Sequence, residues 1–253
     1  MRIDVLFGTG TLTPALVSGR VVAVVDVLRA SSTIAAALAN GARNVIPLDS
    51  VDEVMTRARA FTRSDVRLAG ERKMLPVSGF DLGNSPGEFT RDAVEGKTVL
   101  LATTNGTAAL VAVQGVAVQG ARDVVVASYV NFSAVLALLR AALRGGTDVT
   151  MVCAGRDRYF SLEDAACAGR YVRHVARRMD GVSLNDGAAA SEVLDRRYGD
   201  RIDRVFAESE HGRALAEAGF GDDLKACGAI DSYPVVPIYQ DRQITKLGPD
   251  RER

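Results

Sequence analysis

Lysine is scarce in this chain of 253 residues: Lys73, Lys97, Lys225 and Lys246 are the only four among 31 basic residues. A Schiff-base or phosphate-clamping lysine therefore has few candidates, and arginine carries most of the positive charge. Histidine is scarcer still, with only His174 and His211, too few for a histidine-rich zinc site. The three cysteines, Cys153, Cys167 and Cys227, are odd in number, far apart and never in a Cys-x-x-Cys pair, which argues against a disulfide framework. Any metal has to be held by carboxylates, which points to a hard cation such as Mg2+. Neither charge is in excess, at 31 basic and 31 acidic residues, so nothing suggests a nucleic-acid or anionic-membrane surface. No apolar run reaches the length of a membrane span, and the opening MRIDVLFGTG lacks the apolar core of a signal peptide. A cytoplasmic protein is expected.

What is present is an ordinary globular composition, 47% hydrophobic and 25% charged, on a chain long enough to bury a large core. The organising stretch is VVAVVDVLRASST, residues 21–33. Its β-branched run reads as a strand buried on both faces, which places Asp26 at the carboxyl end of a central strand, where open α/β sheets bind ligands. Ser31 or Ser32 is expected to cap the helix that follows, and the free amides at its start suit an anion.

Strands are expected at 2–7, 44–48, 66–69, 97–102, 123–127, 148–153 and 235–239. Helices are expected at 31–40, 51–61, from Gly106 to about Val113, at 132–144, from Ser161 to about Arg178, and near 186–198, 209–218 and 222–227. Ser161 reads as an N-cap with Asp164 at the capping-box position. Between them runs a long loop, KMLPVSGFDLGNSPGEFT, which Phe80, Leu82 and Phe89 are expected to anchor. Segments 21–72 and 97–156 share one order of elements, including Gly-Ala-Arg before the second strand and Ala-Gly ending the third. The expected fold is a three-layer α/β/α arrangement with a largely parallel, mixed sheet, built from two similar βαβαβ units with right-handed crossovers. It forms one compact unit over 1–253, or two lobes of about 1–95 and 96–245 sharing a cleft, with 246–253 as a flexible tail.

Four acid–polar clusters follow strands or open helices: Asp26/Arg29, Glu71/Arg72 followed by Asp81/Asn84/Ser85, Thr104/Asn105/Thr107, and Arg156/Glu163/Asp164. Arg29, Glu71, Asn105 and Glu163 would gather at one mouth. Carboxylates of this kind hold Mg2+, and arginines and amides neutralise a transferring phosphoryl group. Familiar hydrolase patterns mostly fail. A haloacid-dehalogenase phosphatase needs Asp-x-Asp, and position 28 is Leu, although the strand ending Thr104-Asn105 is similar to that superfamily's second motif. A cysteine phosphatase needs five residues between Cys and Arg, and Cys153 to Arg158 leaves four. An isochorismatase-like hydrolase lacks its lysine. GTGTLT precedes no helix and is no dinucleotide fingerprint. His211, at a helix start, suits an acid/base or an anion contact, and equally a helix cap, while His174 reads as structural.

With VVDVLRASST, LANGARNVIPL, LAGER, GFDLGNSPGEFT, TTNGT, VCAG, FSLEDAACAG and SEHGRAL in order along nearly the whole chain, the sequence resembles the 2-phosphosulfolactate phosphatase family. The resemblance implies an α/β hydrolase that uses Mg2+ to cleave 2-phospho-3-sulfolactate to 3-sulfolactate and phosphate, a step of coenzyme M biosynthesis where that cofactor is made. It does not assign roles, so the residues are read from their chemistry. Asp26, Glu71, Glu163 and Asp164 are candidates for Mg2+ and its waters. Arg29, Asn105 and the turn Thr104, Gly106 and Thr107 would hold the phosphoryl group, with Ser31, Asn84 and Ser85 nearby. Arg72, Arg156 or Arg213 would hold a second anionic group, and His211 is a catalytic candidate. Asp26 either binds the metal or attacks phosphorus, and a metal-bound water is the favoured nucleophile. The expected partners are a small anionic phosphate ester and a second copy of the chain, a dimer first; phosphatases of other hydroxy acids and a non-catalytic anion-binding protein are the alternatives.

Overall fold

The computed structural model describes residues 1–117, 120–157, 159–177, 179 and 181–248. Its strands are β1 (Arg2–Leu6), β2 (Val21–Val25), β3 (Asn44–Pro47), β4 (Val66–Arg72), β5 (Leu75–Pro76), β6 (Thr98–Ala102), β7 (Asp123–Ala127), β8 (Val149–Cys153), β9 (Ser183–Leu184), β10 (Pro237–Gln240) and β11 (Gln243–Lys246). Its helices are α1 (Ala30–Ala39), α2 (Val51–Ala58), α3 (Arg91–Val94), α4 (Gly106–Ala117), α5 (Phe132–Arg144), α6 (Leu162–Ala176), α7 (Asp186–Tyr198), α8 (Ile202–Glu208), α9 (Glu210–Glu217) and α10 (Gly221–Gly228). None of the described helices is long and apolar enough to cross a membrane.

The strands form one mixed sheet in the order β5-β4-β6-β3-β11-β10-β7-β2-β8-β1-β9. Why β2 lies inside it follows from its side chains. All five residues of VVAVV are buried, and they alternate between two cores. Val21, Ala23 and Val25 enter the core beneath α5 and α6, while Val22 and Val24 enter the one containing α1 and α4. A strand with no polar face is stable only with neighbours and layers on both sides. α1 is equally enclosed, with every residue from Ala30 to Leu38 buried. Its small side chains let it pack against β3, β7, β10 and β11 together.

The two similar units have the expected element order, but their strands do not lie side by side. β6 sits between β4 and β3, paired parallel to both, and β2 sits between β7 and β8 in the same way. Each unit thus lends its first strand to the other, and the order of these six strands reads the same from either end when the units are exchanged. The hairpin β10–β11 fills the centre, antiparallel to β7 on one side and to β3 on the other. Counting reversals across it, the two parallel triplets run in opposite directions. The carboxyl ends of β2 and β6 nevertheless meet, since Asp26 after β2 lies against Gly106 after β6.

Several local expectations are corrected. α1 begins at Ala30 with Arg29 as its cap residue and no side-chain cap, because Ser31 and Ser32 spend their hydroxyls on the end of β2. β4 runs on to Arg72 and turns straight into β5, so the long loop starts with a tight hairpin. Phe89 is fully buried in that loop, and Phe80 and Leu82 pack on core clusters. β9, α8 and β11 add to the expected elements, and Lys246 ends a strand where a tail was expected to begin. Ser161 does cap α6 by accepting from the Asp164 amide, but the Asp164 side chain turns elsewhere. Arg178, Arg158 and the tail residues 249–253 lie outside the described residues.

Candidate active site

Asp26 leaves β2 into a turn closed by Ser31: the Asp26 amide donates to Ser31 Oγ (2.9 Å) and the Ser31 amide donates to the Asp26 carbonyl (2.9 Å). The carboxylate then meets the first residue of α4. A Cβ on Gly106 would overlap Asp26 Oδ2 and the Ala30 methyl, so only glycine lets the start of α4 approach this closely. Burial pushes the Asp26 carboxyl up to about 6, and the charges of Glu71 and Glu163 add to the rise. His211 and the Ala30 amide pull the other way.

Around Asp26 the neighbouring strand ends are tied by side chain to backbone. Glu71, at the end of β4, accepts from the Thr104 amide (2.6 Å), from Thr104 Oγ1 (3.1 Å) and from the Met74 amide (2.8 Å), and so joins β4 to β6. Thr103 and Thr107 exchange amide-to-hydroxyl bonds across the first turn of α4. Asn105 Oδ1 accepts from the Asp157 amide (3.1 Å), linking this turn to the one after β8.

Arg29 is buried and anchored through Nη1 and Nη2. It donates to Asp223 Oδ2 (2.6 Å), Ser85 Oγ (3.2 Å) and the Met74 carbonyl (2.8 Å), and its Cζ stands 4.4 Å from the centre of the Phe220 ring. At the other side Glu163, at the start of α6, faces His211 Nδ1 at 3.3 Å. Burial acts to raise the Glu163 carboxyl, but the hydrogen bond and charge of His211 outweigh it and hold it below the usual range.

These groups enclose a cavity of about 290 Å³, lined by Asp26, Leu28, Arg29, Glu71, Lys73, Met74, Asn84, Thr103, Thr104, Asn105, Arg156, Asp157 and His211. It opens past Arg156, Asp157 and His211 into a groove that reaches Glu163. A pocket bordered by three carboxylates, two arginines, a lysine, a histidine and a helix start suits a small, highly charged anion.

Comparison with known proteins agrees. The family model for 2-phosphosulpholactate phosphatase matches residues 3–242. The chain belongs to that family. A protein of Symbiobacterium thermophilum named probable 2-phosphosulfolactate phosphatase is 38% identical over 91% of this chain and 95% of its own length. Proteins of the same name from Clostridium botulinum strain Alaska E43 and Thermotoga maritima are 34% and 35% identical, over 98% and 86% of this chain and all and 88% of their own.

In this member of the family, Asp26, Arg29, Glu71, Asn84, Thr104, Asn105, Arg156 and His211 line the cavity, and Glu163 lines the adjoining groove. Gly106, Thr107, Ser31 and Ser85 stand behind it and shape it, with Ser31 and Thr107 bonded internally rather than facing the space. Three candidates are corrected. Asp164 lines neither space; its oxygens accept from the Val27 (2.9 Å) and Gly155 (3.1 Å) amides, clamping β2 to β8. Burial, with the charges of Asp26 and Glu163, pushes its carboxyl well above the usual range. Arg72 turns back to the carbonyls of Glu71 and Asp49. Arg213 donates to the Glu208 carbonyl and borders a separate groove beside Phe206 and Leu224.

Sequence reasoning missed Lys73, Met74, Asp157, Asp223 and Phe220. Lys73 and Asp157 follow the two Ala-Gly strand ends, so the repeat pattern itself marks them. Asp223 and Phe220 lie nearly two hundred residues beyond Arg29, and nothing local announces that contact.

No group of three or more His, Cys, Asp or Glu among the described residues is gathered closely enough to cage a metal ion. The donor chemistry still fits Mg2+, which binds through one or two carboxylates and keeps several waters. Burial is the main cause of the raised Asp26 carboxyl, and the charges of Glu71 and Glu163 add a repulsion that a cation would relieve.

Proposed function

We propose that this protein hydrolyses a phosphate monoester in the Asp26 cavity, with 2-phospho-3-sulfolactate as its substrate and Mg2+ as its metal. The observation that carries the reading is a buried carboxylate at the start of α4, raised to about 6 and surrounded by two further acids and a histidine. The family and the names of its members supply the substrate.

Asp26 and Glu71 are the residues that would hold Mg2+, which when bound neutralises phosphoryl oxygens and acidifies a water. The chain's own groups do the rest. Arg29, fixed by Asp223 and Ser85, offers its guanidinium edge to phosphoryl oxygens without reorienting. Asn105 orients from the same side, its Oδ1 held by the Asp157 amide so that Nδ2 is left to donate. His211 Nδ1 faces Glu163 at 3.3 Å, which leaves Nε2 to carry a proton to the leaving alkoxide oxygen. Burial of Asp26 and Arg29 keeps the reacting groups in a poorly solvated site, where these charges act strongly.

The test is release of free phosphate from 2-phospho-3-sulfolactate and a panel of other phosphomonoesters, with Mg2+ or with EDTA. The expected result is turnover that favours 2-phospho-3-sulfolactate, is lost on chelation and returns with Mg2+. Turnover of no ester would overturn the phosphatase reading, and turnover undiminished by thorough chelation would overturn the metal.

A further inference from the structure

Lys73 is one of three cationic side chains lining the cavity, with Arg29 and Arg156. Each of the other two already faces a carboxylate. Arg29 is bound to Asp223, and Arg156 Nη1 lies 3.4 Å from Glu210 Oε2. Lys73 makes no ion pair with any described residue, and its side chain sits at the exposed mouth. An unpaired ammonium beside a charged pocket is an offer to a ligand.

The backbone that presents it is unusual. Lys73 and Met74 form the two-residue turn of the β4–β5 hairpin, with Arg72 opposite Leu75. Both sit in the left-handed region, at φ 50° and 74°. Such turns ordinarily take Asn-Gly, because a Cβ is strained there unless other contacts hold it. Here the hold is visible. The Met74 amide donates to Glu71 Oε2 and its carbonyl accepts from Arg29 Nη2, so two charged residues of the cavity pin the turn from either side. After β8, Arg156 is likewise bridged to Tyr159, and Asp157 stands at φ 52°. That second turn places an acid at the cavity where the first places a lysine.

We propose that Lys73 binds the anionic group of the substrate remote from the phosphoryl group, its carboxylate or sulfonate. This takes the place of Arg72 and Arg213, which do not reach the cavity. A compact ammonium on a flexible stem binds a peripheral anion as a point charge, while Arg29, deeper and rigid, is left to the phosphoryl group. Asp157 repels a second anion, so the contrast between the two turns sets which way round a doubly charged ester enters. This assignment rests on the phosphatase reading for its substrate.

The experiment compares wild type, Lys73→Met and Lys73→Arg in two ways. Steady-state kinetics use 2-phospho-3-sulfolactate and p-nitrophenyl phosphate, which has no second anion. Calorimetry measures binding of 3-sulfolactate and of inorganic phosphate. For Lys73→Met the expected result is a KM for 2-phospho-3-sulfolactate raised about tenfold or more with kcat changed far less, and a selectivity over p-nitrophenyl phosphate that falls by a similar factor. Its Kd for 3-sulfolactate weakens about tenfold, that for phosphate much less, and Lys73→Arg restores most of the loss. An unchanged KM and Kd, or an equal loss on both esters, would overturn the role of Lys73. A wild type that hydrolyses neither ester would overturn the phosphatase reading instead, and the calorimetric comparison would still decide the lysine.

Discussion

Asp26→Asn is expected to lower kcat by about a thousandfold or more and, at pH 8 in EDTA, to leave the protein more stable than wild type. The loss follows from chemistry: the amide cannot hold a divalent cation or accept a proton, and removing such a group costs about 4 kcal/mol or more of transition-state stabilisation. The gain follows from linkage. In the unfolded chain Asp26 titrates at its ordinary value of 3.8, and in the folded protein burial and the neighbouring acids raise it to about 6. Below pH 4 both states hold the proton and the group has no effect. Between pH 4 and 6 the unfolded state releases it first, so stability falls as pH rises, and above 6 the folded protein carries the full penalty. Two pH units correspond to roughly 3 kcal/mol, part of it shared with Glu71 and Glu163. An isosteric neutral residue removes most of that, raising Tm by about 2–4 °C per kcal/mol for a chain of this length. Thermal melts across pH 4–8 check it: the advantage of Asp26→Asn should be largest at pH 8 and vanish near pH 4. A variant with near wild-type kcat would remove Asp26 from the centre of the site, and an unchanged or lower Tm at pH 8 would show that the carboxylate is not strained by burial.

Gly106→Ala is expected to be nearly as damaging by a different route. The added methyl overlaps the Asp26 carboxylate and Ala30, and neither can yield. Ala30 opens the enclosed helix α1, and the turn holding Asp26 is closed by Ser31. α4 must therefore retreat, carrying Asn105 and Thr104 with it. Overpacking of this kind costs about 1–3 kcal/mol, and a displacement near 1 Å at the reacting groups costs about a hundredfold in kcat. Gly115, in the same helix, is exposed with no heavy atom near its would-be Cβ. Gly115→Ala should keep full activity and gain up to about 1 kcal/mol from helix propensity. Denaturant unfolding and kcat of the two alanine variants separate a specific close approach from a general intolerance of helix α4.

How far the sequence carried these conclusions differs by element. VVAVV announced an interior strand because it offers no polar face, and the strand-end rule then put Arg29, Glu71, Asn105 and Glu163 at one mouth; of these Glu163 lines the adjoining groove. Ser161 caps its helix as its position suggests. Ser31 reads identically and does something else, because a buried strand end beside it competes for the hydroxyl. Asp164 carried the signature of a capping box and a metal ligand, yet two strand-end amides claim it. The Lys73–Met74 turn was illegible because its residues are wrong for its backbone; only tertiary hydrogen bonds from Glu71 and Arg29 hold them there. The exchange of first strands between the two units was illegible for a different reason. β2 and β6 would be equally well buried in either triplet, and no local pattern says which.

The most direct measurement of the central claim, that the Asp26 cavity is where a phosphoryl group binds, is anomalous diffraction from crystals of the protein grown with tungstate, a phosphate-shaped anion. The account predicts a tungsten peak inside the cavity, within hydrogen-bonding distance of Arg29 and Asn105. A peak only in the separate groove beside Phe206 and Leu224, with the Asp26 cavity empty at saturating tungstate, would contradict it.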